Sequence, residues 1–280
     1  MIQILVDSAA DFSKEEIEAK HFTFVPLQVM LNGQTYQDGV NLFRNDFYEM
    51  LISSDDFPKT SQPSPQAFVE IFEKAKANQD SVLCILLSSA LSGTYQSAKL
   101  AKDMVEYDNI YLIDSCSATA GIRMLAETAE AMIAEGKEIT EIVAYLEKMK
   151  QHIKILAAVD TLEYLCRGGR VSKTSAAIGE MANIKPMITV NSEGKVEVVG
   201  KRPGVTRITS LLMKQLENYT VHPAFPMYSL FTYGTQNCEK LEAKLAAANH
   251  EIKDRLQIGS AIGAHVGPEA FGICFVETFE

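Results

Sequence analysis

The chain has 280 residues, 47% of them hydrophobic and 22% charged, with a formal net charge of -10. That length and apolar content exclude a disordered chain and leave room for two medium cores, and the acidic balance argues against a broad nucleic-acid surface, which needs clustered positive charge. Cys84, Cys116, Cys166, Cys238 and Cys274 are dispersed and form no C-x-x-C pair, so they read as reduced thiols packed as small hydrophobes, and the compartment as cytoplasmic. Met1 to Asp7 has no basic leader and no apolar run approaches the ~18 residues of a membrane helix, so no targeting or spanning segment is expected.

Ile2 to Val6 is an apolar strand, and Ser13-Lys14-Glu15-Glu16 has the capping-box order of a helix start. Phe22 to Leu31 reads as a second strand, stopped by Asn32-Gly33, and Arg44 to Ile52 carries helical spacing in Phe47, Met50 and Leu51. Ser53 to Pro65 is rich in proline and small polar residues and reads as a loop, with Ser64 capping a helix that Pro65 begins. The bulky run Ser81 to Leu87 suits a strand buried on both faces of a parallel sheet. Hydroxyls follow at once in Ser88-Ser89-Ala90-Leu91-Ser92-Gly93-Thr94, and Tyr95, Ala98, Ala101 and Val105 mark the next helix. A strand over Ile110 to Ile113, helices over Ala118 to Ala134 and Thr140 to Lys150, and a strand over Ile153 to Val159 continue an alternation that predicts a parallel sheet covered by helices.

Beyond Leu162 the texture changes. A short helix is expected after Cys166-Arg167-Gly168-Gly169-Arg170, then an antiparallel hairpin of Ile184 to Val190 and Lys195 to Gly200. A helix (Val205 to Leu216), a strand (Met227 to Thr232), a helix (Asn237 to Ala248), a strand around Leu256-Gln257-Ile258 and a last strand (Gly272 to Val276) complete the chain. Gly263-Ala264-His265-Val266-Gly267-Pro268 reads as a loop with one imidazole. The expected fold is α/β in two domains with a boundary near Val159 to Leu162: residues 1–160, a parallel sheet flanked by helices and carrying donor loops, and residues 161–280, a mixed α/β sheet domain contributing His265.

A strand end that turns into a helix amino terminus is where open α/β sheets bind anions; Ser92 there is either such a donor or only the helix cap. No P-loop, dinucleotide fingerprint, H-E-x-x-H or G-x-S-x-G motif is present, and the five histidines, at 21, 152, 222, 250 and 265, lack metal-ligand spacing, so neither metal nor cofactor is expected. Thr60, Ser61, Ser92 and Thr94 are neutral donors on loops beside apolar strands, with His265 as a titratable one. Such a set suits a carboxylate that must leave water, because a buried carboxylate needs hydrogen bonds or a positive partner. His265 also reads as an ordinary loop histidine. Arg170 and Arg202 read either as solvated or ion-paired surface residues or as an anion patch, the glycines before Arg170 letting backbone approach a phosphate. Ser92 and His265, oriented by Asp7 or Asp114, give the alternative of a serine-dependent esterase.

Several motifs then recur in order over nearly the whole chain: Asp7-Ser8; Val25-Pro26-Leu27 with Tyr36 and Asp38-Gly39; Lys59-Thr60-Ser61-Gln62-Pro63-Ser64; Leu91-Ser92-Gly93-Thr94-Tyr95-Gln96-Ser97-Ala98; Asp160-Thr161-Leu162-Glu163-Tyr164-Leu165; Gly168-Gly169-Arg170; Ile184-Lys185-Pro186; and Gly263 to Pro268. Together they resemble the DegV family, bacterial fatty-acid-binding proteins that act as the acyl-carrying subunit of fatty acid kinase. The resemblance implies a long-chain fatty acid in a tunnel between two α/β domains, with Thr60 and Ser92 on its carboxylate, His265 completing the network, and Ser61, Gly93 and Thr94 beside them. It also implies that this chain is not itself the enzyme. A separate ATP-dependent kinase catalytic subunit phosphorylates the acid, an acyltransferase receives the acyl-phosphate for phospholipid synthesis, and transient membrane contact fits that traffic. Arg170 and Arg202 match positions suited to the phosphate or to kinase docking. Glu269, where glycine often follows Gly-Pro, and Ala118-Thr119-Ala120-Gly121, a loose match to a serine-methionine-glycine pattern, depart from the family. A regulatory module that signals its acyl load to another protein is a third reading.

Overall fold

A computed structural model describes residues 1–172 and 183–279. The short helix expected after Arg170 falls outside the described residues. The first domain is a parallel sheet of β1 (Ile2–Asp7), β2 (Thr23–Val25), β6 (Ser81–Leu86) and β7 (Ile110–Asp114) in the order β2-β1-β6-β7. Alternation along β6 explains how helices cover both faces. Val82, Cys84 and Leu86 pack with Phe68 and Phe72 of α3 (Pro65–Asn78) and Ala98 and Ala101 of α4 (Thr94–Val105). Leu83 and Ile85 pack on the other side with Ile122 and Leu125 of α5 (Ala120–Ala134) and Ile142 and Leu146 of α6 (Ile139–Met149). The capping box at Ser13 forms as expected and starts α1 (Lys14–Lys20).

The second domain is a six-stranded mixed sheet, in the order β10-β9-β8-β13-β11-β12. Its strands are β8 (Ile153–Ala158), β9 (Ile184–Val190), β10 (Val196–Pro203), β11 (Tyr228–Phe231), β12 (Asp254–Gln257) and β13 (Phe271–Val276), and only β11 and β12 run parallel. The expected hairpin is the β9–β10 pair. Because β8 belongs to this sheet, the change of sheet falls at Ile153, upstream of the Val159 to Leu162 boundary expected from sequence. Leu156, Ala158, Met187 and Ile273 face α8 (Gly204–Leu216) and α9 (Gln236–Ala247), whose Ile208, Leu212 and Leu241 meet them. The alternate residues Ile155, Ala157, Val159 and Ile188 face the first domain and join its core cluster.

Four elements differ from the sequence-based expectation. Phe22 to Leu31 is not one strand: Pro26, which has no N–H for a ladder, separates β2 from β3 (Gln28–Leu31), and the two lie in different sheets. Asn32-Gly33 does not end the structure there, because both residues take positive φ (53° and 72°) and turn β3 into β4 (Gln34–Gln37). The loop of 53–65 contains β5 (Lys59–Ser61), paired with β3. Gly263 to Pro268 is not a loop either. It lies largely in a helix, α10 (Ser260–Val266), that ends at Gly267 with φ 79°. Gly263 serves close packing there, since a Cβ on it would meet the Tyr48 ring at 2.9 Å.

One glycine of β13 supports the second sheet directly. Gly272 stands opposite Ala157, and a Cβ there would strike the Leu156 carbonyl oxygen and lie 2.7 Å from the Ala157 Cα. Neither backbone atom can yield cheaply, so Gly272→Ala lowers stability by about 1–3 kcal/mol. Urea denaturation checks this, and an unchanged midpoint would refute it.

Candidate functional site

Between the two domains lies a narrow cavity with an almost wholly aliphatic wall. Its lining crosses the second sheet from Val196 on β10, through Ile188, Ala157 and Ala270, to Leu230 on β11. With strands about 4.8 Å apart, that path is about 19 Å long. The polar and charged lining residues are Thr60, Ser92, Thr119, Arg170 and His265.

Each of these comes from a different element. Thr60 is the middle residue of β5. Ser92 lies on the turn between β6 and α4, whose N-cap is Gly93 rather than Ser92, and its Oγ sits 2.9 Å from Thr94 Oγ1. Arg170 follows α7 (Glu163–Arg167), donating to the carbonyl of Leu91 from Nε (2.9 Å) and Nη2 (2.7 Å) and to that of Gly168 from Nη1. This holds the Ser92 turn against the second domain and leaves N–H groups on both terminal nitrogens for another acceptor. Among the described residues Arg170 makes no ion pair, and its half-burial pushes the guanidinium below its usual range.

His265 lies in the last turn of α10, with Nε2 2.7 Å from Thr60 Oγ1. Its Nδ1 is buried without a partner and faces Gly168, on which a Cβ would fall directly onto that nitrogen. An orphaned acceptor against a Cα–H costs less than an orphaned N–H, so we assign the proton to Nε2. The ring then donates to Thr60, and the Thr60 hydroxyl proton is free for an acceptor in the cavity. Burial, helped by the Arg170 charge, lowers the ring pKa from 6.5 to about 4. Because folding depresses this pKa, the ring's contribution to stability is full above about 6.5 and is lost as pH falls through about 4. An NMR titration of the chain therefore shows the His265 ring with a midpoint near 4; a midpoint near 6.5 for that ring would refute the geometry.

The other expected residues stand elsewhere. Ser61 is exposed, as its alternation with Thr60 on β5 requires, and bonds Gln28. Gly93 and Thr94 support the Ser92 turn without lining the cavity, and a Cβ on Gly93 would run into the Gln62 side chain at 2.6 Å. Arg202 is exposed on β10, away from the lining. Glu269 is exposed too, and the charge acting on His265 is that of Arg170. The esterase arrangement is not assembled. His265 bonds Thr60 instead of Ser92, Asp7 accepts from the backbone of Leu87 and Ala9, and Asp114 accepts from Ser89 and Cys116, so no carboxylate orients the imidazole. The five cysteines are free thiols.

Sequence reasoning missed Thr119 and Gly168. Thr119 is 4% exposed, its hydroxyl has no partner, and as N-cap of α5 it takes φ 51°, a rare conformation for a β-branched residue. Nothing in its local sequence announces this. Gly168 was legible only as part of Gly168-Gly169-Arg170, where its use is the space it leaves for His265.

Comparison with known proteins extends over the whole chain. A family model described as "Uncharacterised protein, DegV family" matches residues 1–278. A DegV domain-containing protein of Caldanaerobacter subterraneus is 35% identical over 280 residues, covering 99% of each chain. A solved DegV family protein of Thermus thermophilus, described by its fatty acid binding, aligns with TM-score 0.88 and 27% identity over 99% of each chain. DegV of Bacillus subtilis, described as a fatty acid binding protein, aligns with TM-score 0.81 and 30% identity, again over 99% of each.

Proposed function

This chain belongs to the DegV family, and from that premise we propose that its cavity holds a long-chain fatty acid, with the carboxylate at Thr60, Ser92, Arg170 and His265 and the tail running toward Leu230. The observation that carries the reading is the pairing of a long aliphatic cavity with one half-buried guanidinium that has no acidic partner among the described residues. An anion with a hydrocarbon tail satisfies both. Sixteen carbons at ~0.8 kcal/mol per buried CH₂ offer on the order of 12 kcal/mol gross, against ~1.5–3 kcal/mol for each charged hydrogen bond and a substantial association cost. The tail thus supplies affinity and the head group sets direction.

In this reading the chain is a carrier. Chemistry at the carboxylate then falls to a separate ATP-dependent kinase subunit, and the acyl-phosphate passes to an acyltransferase. Exposed Arg202, together with Arg170, is the candidate for meeting that partner or the phosphate.

Native mass spectrometry of the chain purified from bacterial cells shows a bound long-chain acid. A chain that is empty and also rejects added palmitate and oleate refutes the proposal. Thr60→Val removes the donated proton while keeping shape, and weakens palmitate binding about tenfold or more without moving the melting temperature, as titration with a fluorescent acid reads out.

A further inference from the structure

We propose that Asp38 is a positioning residue for the head-group site: its carboxylate anchors the amino end of α10 and so fixes where His265 meets Thr60. This rests on the fatty-acid reading above and gives a role to the Asp38-Gly39 motif. Asp38 is 4% exposed. It accepts from Ser260 Oγ, from Ser260 N at 3.2 Å and from Ala261 N at 3.2 Å, which are the first donors of the helix. Its neighbours hold the residues just before it: Asp11 Oδ1 accepts from Gly259 N at 2.8 Å, and Tyr48 Oη donates to the Ile258 carbonyl at 2.9 Å.

Among the described residues, the far end of the same helix is held by one side-chain bond, from His265 Nε2 to Thr60 Oγ1. Five residues at about 1.5 Å each separate Ser260 from His265, so the two attachments are about 7.5 Å apart along the axis. Both attachment points belong to one small antiparallel sheet, β4-β3-β5. Asp38 directly follows β4, whose Gln37 pairs with Gln28 of β3, and Thr60 of β5 pairs with Val29 of β3. The sheet therefore acts as a rigid gauge between cap and imidazole. Close packing of Gly263 on Tyr48 also holds the helix, and the cap sets its register: a slip of one residue turns it by about 100°, which would carry His265 off Thr60. Asp38 does not line the cavity, and its effect passes through α10.

Asp38→Asn tests this with two ligands, palmitate and hexadecan-1-ol, titrated into the delipidated chain. Asparagine keeps the shape but turns one acceptor into a donor that faces a backbone N–H. We expect palmitate affinity to fall by about tenfold or more while that for the alcohol stays within about threefold, because only the acid reads the head-group geometry. In a His265→Gln background the same substitution should change the acid-to-alcohol ratio no further. Equal losses for both ligands, or additive effects with His265→Gln, make Asp38 a folding residue and overturn the proposal. Ser260→Ala removes one donor to Asp38 with little risk to folding and should shift the ratio in the same direction; no shift there also counts against it. A wild-type chain that binds the alcohol as well as palmitate leaves the cavity reading standing and overturns this proposal alone, whereas one that binds neither takes both down.

Discussion

Gly168→Ala weakens palmitate binding by about ten- to 150-fold and leaves the chain folded. The argument is steric and local. Gly168 has φ -72°, a conformation alanine adopts freely, so the substitution brings no backbone strain. Its new methyl group, however, would fall on His265 Nδ1 and lie 2.7 Å from Cε1 and 3.1 Å from the Tyr164 carbonyl oxygen. The imidazole is partly buried beside β5 and the α7 turn, and it must rotate or withdraw, which breaks its bond to Thr60. Thr60 then loses the donor that keeps its own proton directed into the cavity. Losing one charged hydrogen bond of the bound acid costs about 1.5–3 kcal/mol, which gives the range above. Gly169→Ala is the control. That residue has φ 74° with open space around it, so alanine there strains the backbone by about 1–2 kcal/mol and lowers the melting temperature without reaching His265. Displacement titrations and thermal melts on both variants check the contrast; equal binding by Gly168→Ala and wild type would mean that the imidazole is not part of the site.

The same glycine shows what a sequence can and cannot display. Gly168-Gly169-Arg170 marks a place where backbone must come close to something, but the identity of that something depends on α10, nearly a hundred residues later. Features set by local rules were legible: the capping box at Ser13, the two-faced burial of β6, the helix opening at Pro65, the β9–β10 hairpin. So was the strand-to-helix turn carrying Ser92, because a buried parallel strand followed by hydroxyls and a helix is a local pattern. Features set by distant partners were not. β5 is three residues that become a strand only because β3 lies beside them, and its pairing is what puts Thr60 inward and Ser61 outward. α10 has glycine in its middle and at its end, so its residues read as a loop, and its amino end is closed by Asp38 and Asp11 from the other domain. The cavity wall was invisible for a related reason. Ile155, Ala157 and Val159 alternate with Leu156 and Ala158, and both sets are apolar, so nothing distinguishes the residues that face a ligand from those that face helices.

That wall carries the second large effect. Leu230→Trp reduces palmitate affinity about 50-fold while leaving decanoate within about threefold of wild type. Leu230 stands on β11, at the opposite end of the cavity from Arg170, and it is buried, with its side chain in the cluster that joins the two domains. An indole there projects toward the cavity, because the other face of β11 is packed against α9. Filling that end excludes about three methylenes of a sixteen-carbon tail, and at ~0.8 kcal/mol each the loss is about 2.4 kcal/mol, or about 50-fold. A ten-carbon acid ends short of the indole and keeps its head-group bonds. Measuring affinity along a series of saturated acids from ten to eighteen carbons therefore gives a curve that parts from wild type only beyond a certain length, and the length of parting reads the distance from Arg170 to Leu230. A uniform loss at every length would mean that the carboxylate, common to all the acids, lies at the Leu230 end and that the direction of the ligand is the reverse of the one argued here; no loss at any length would place the tail elsewhere.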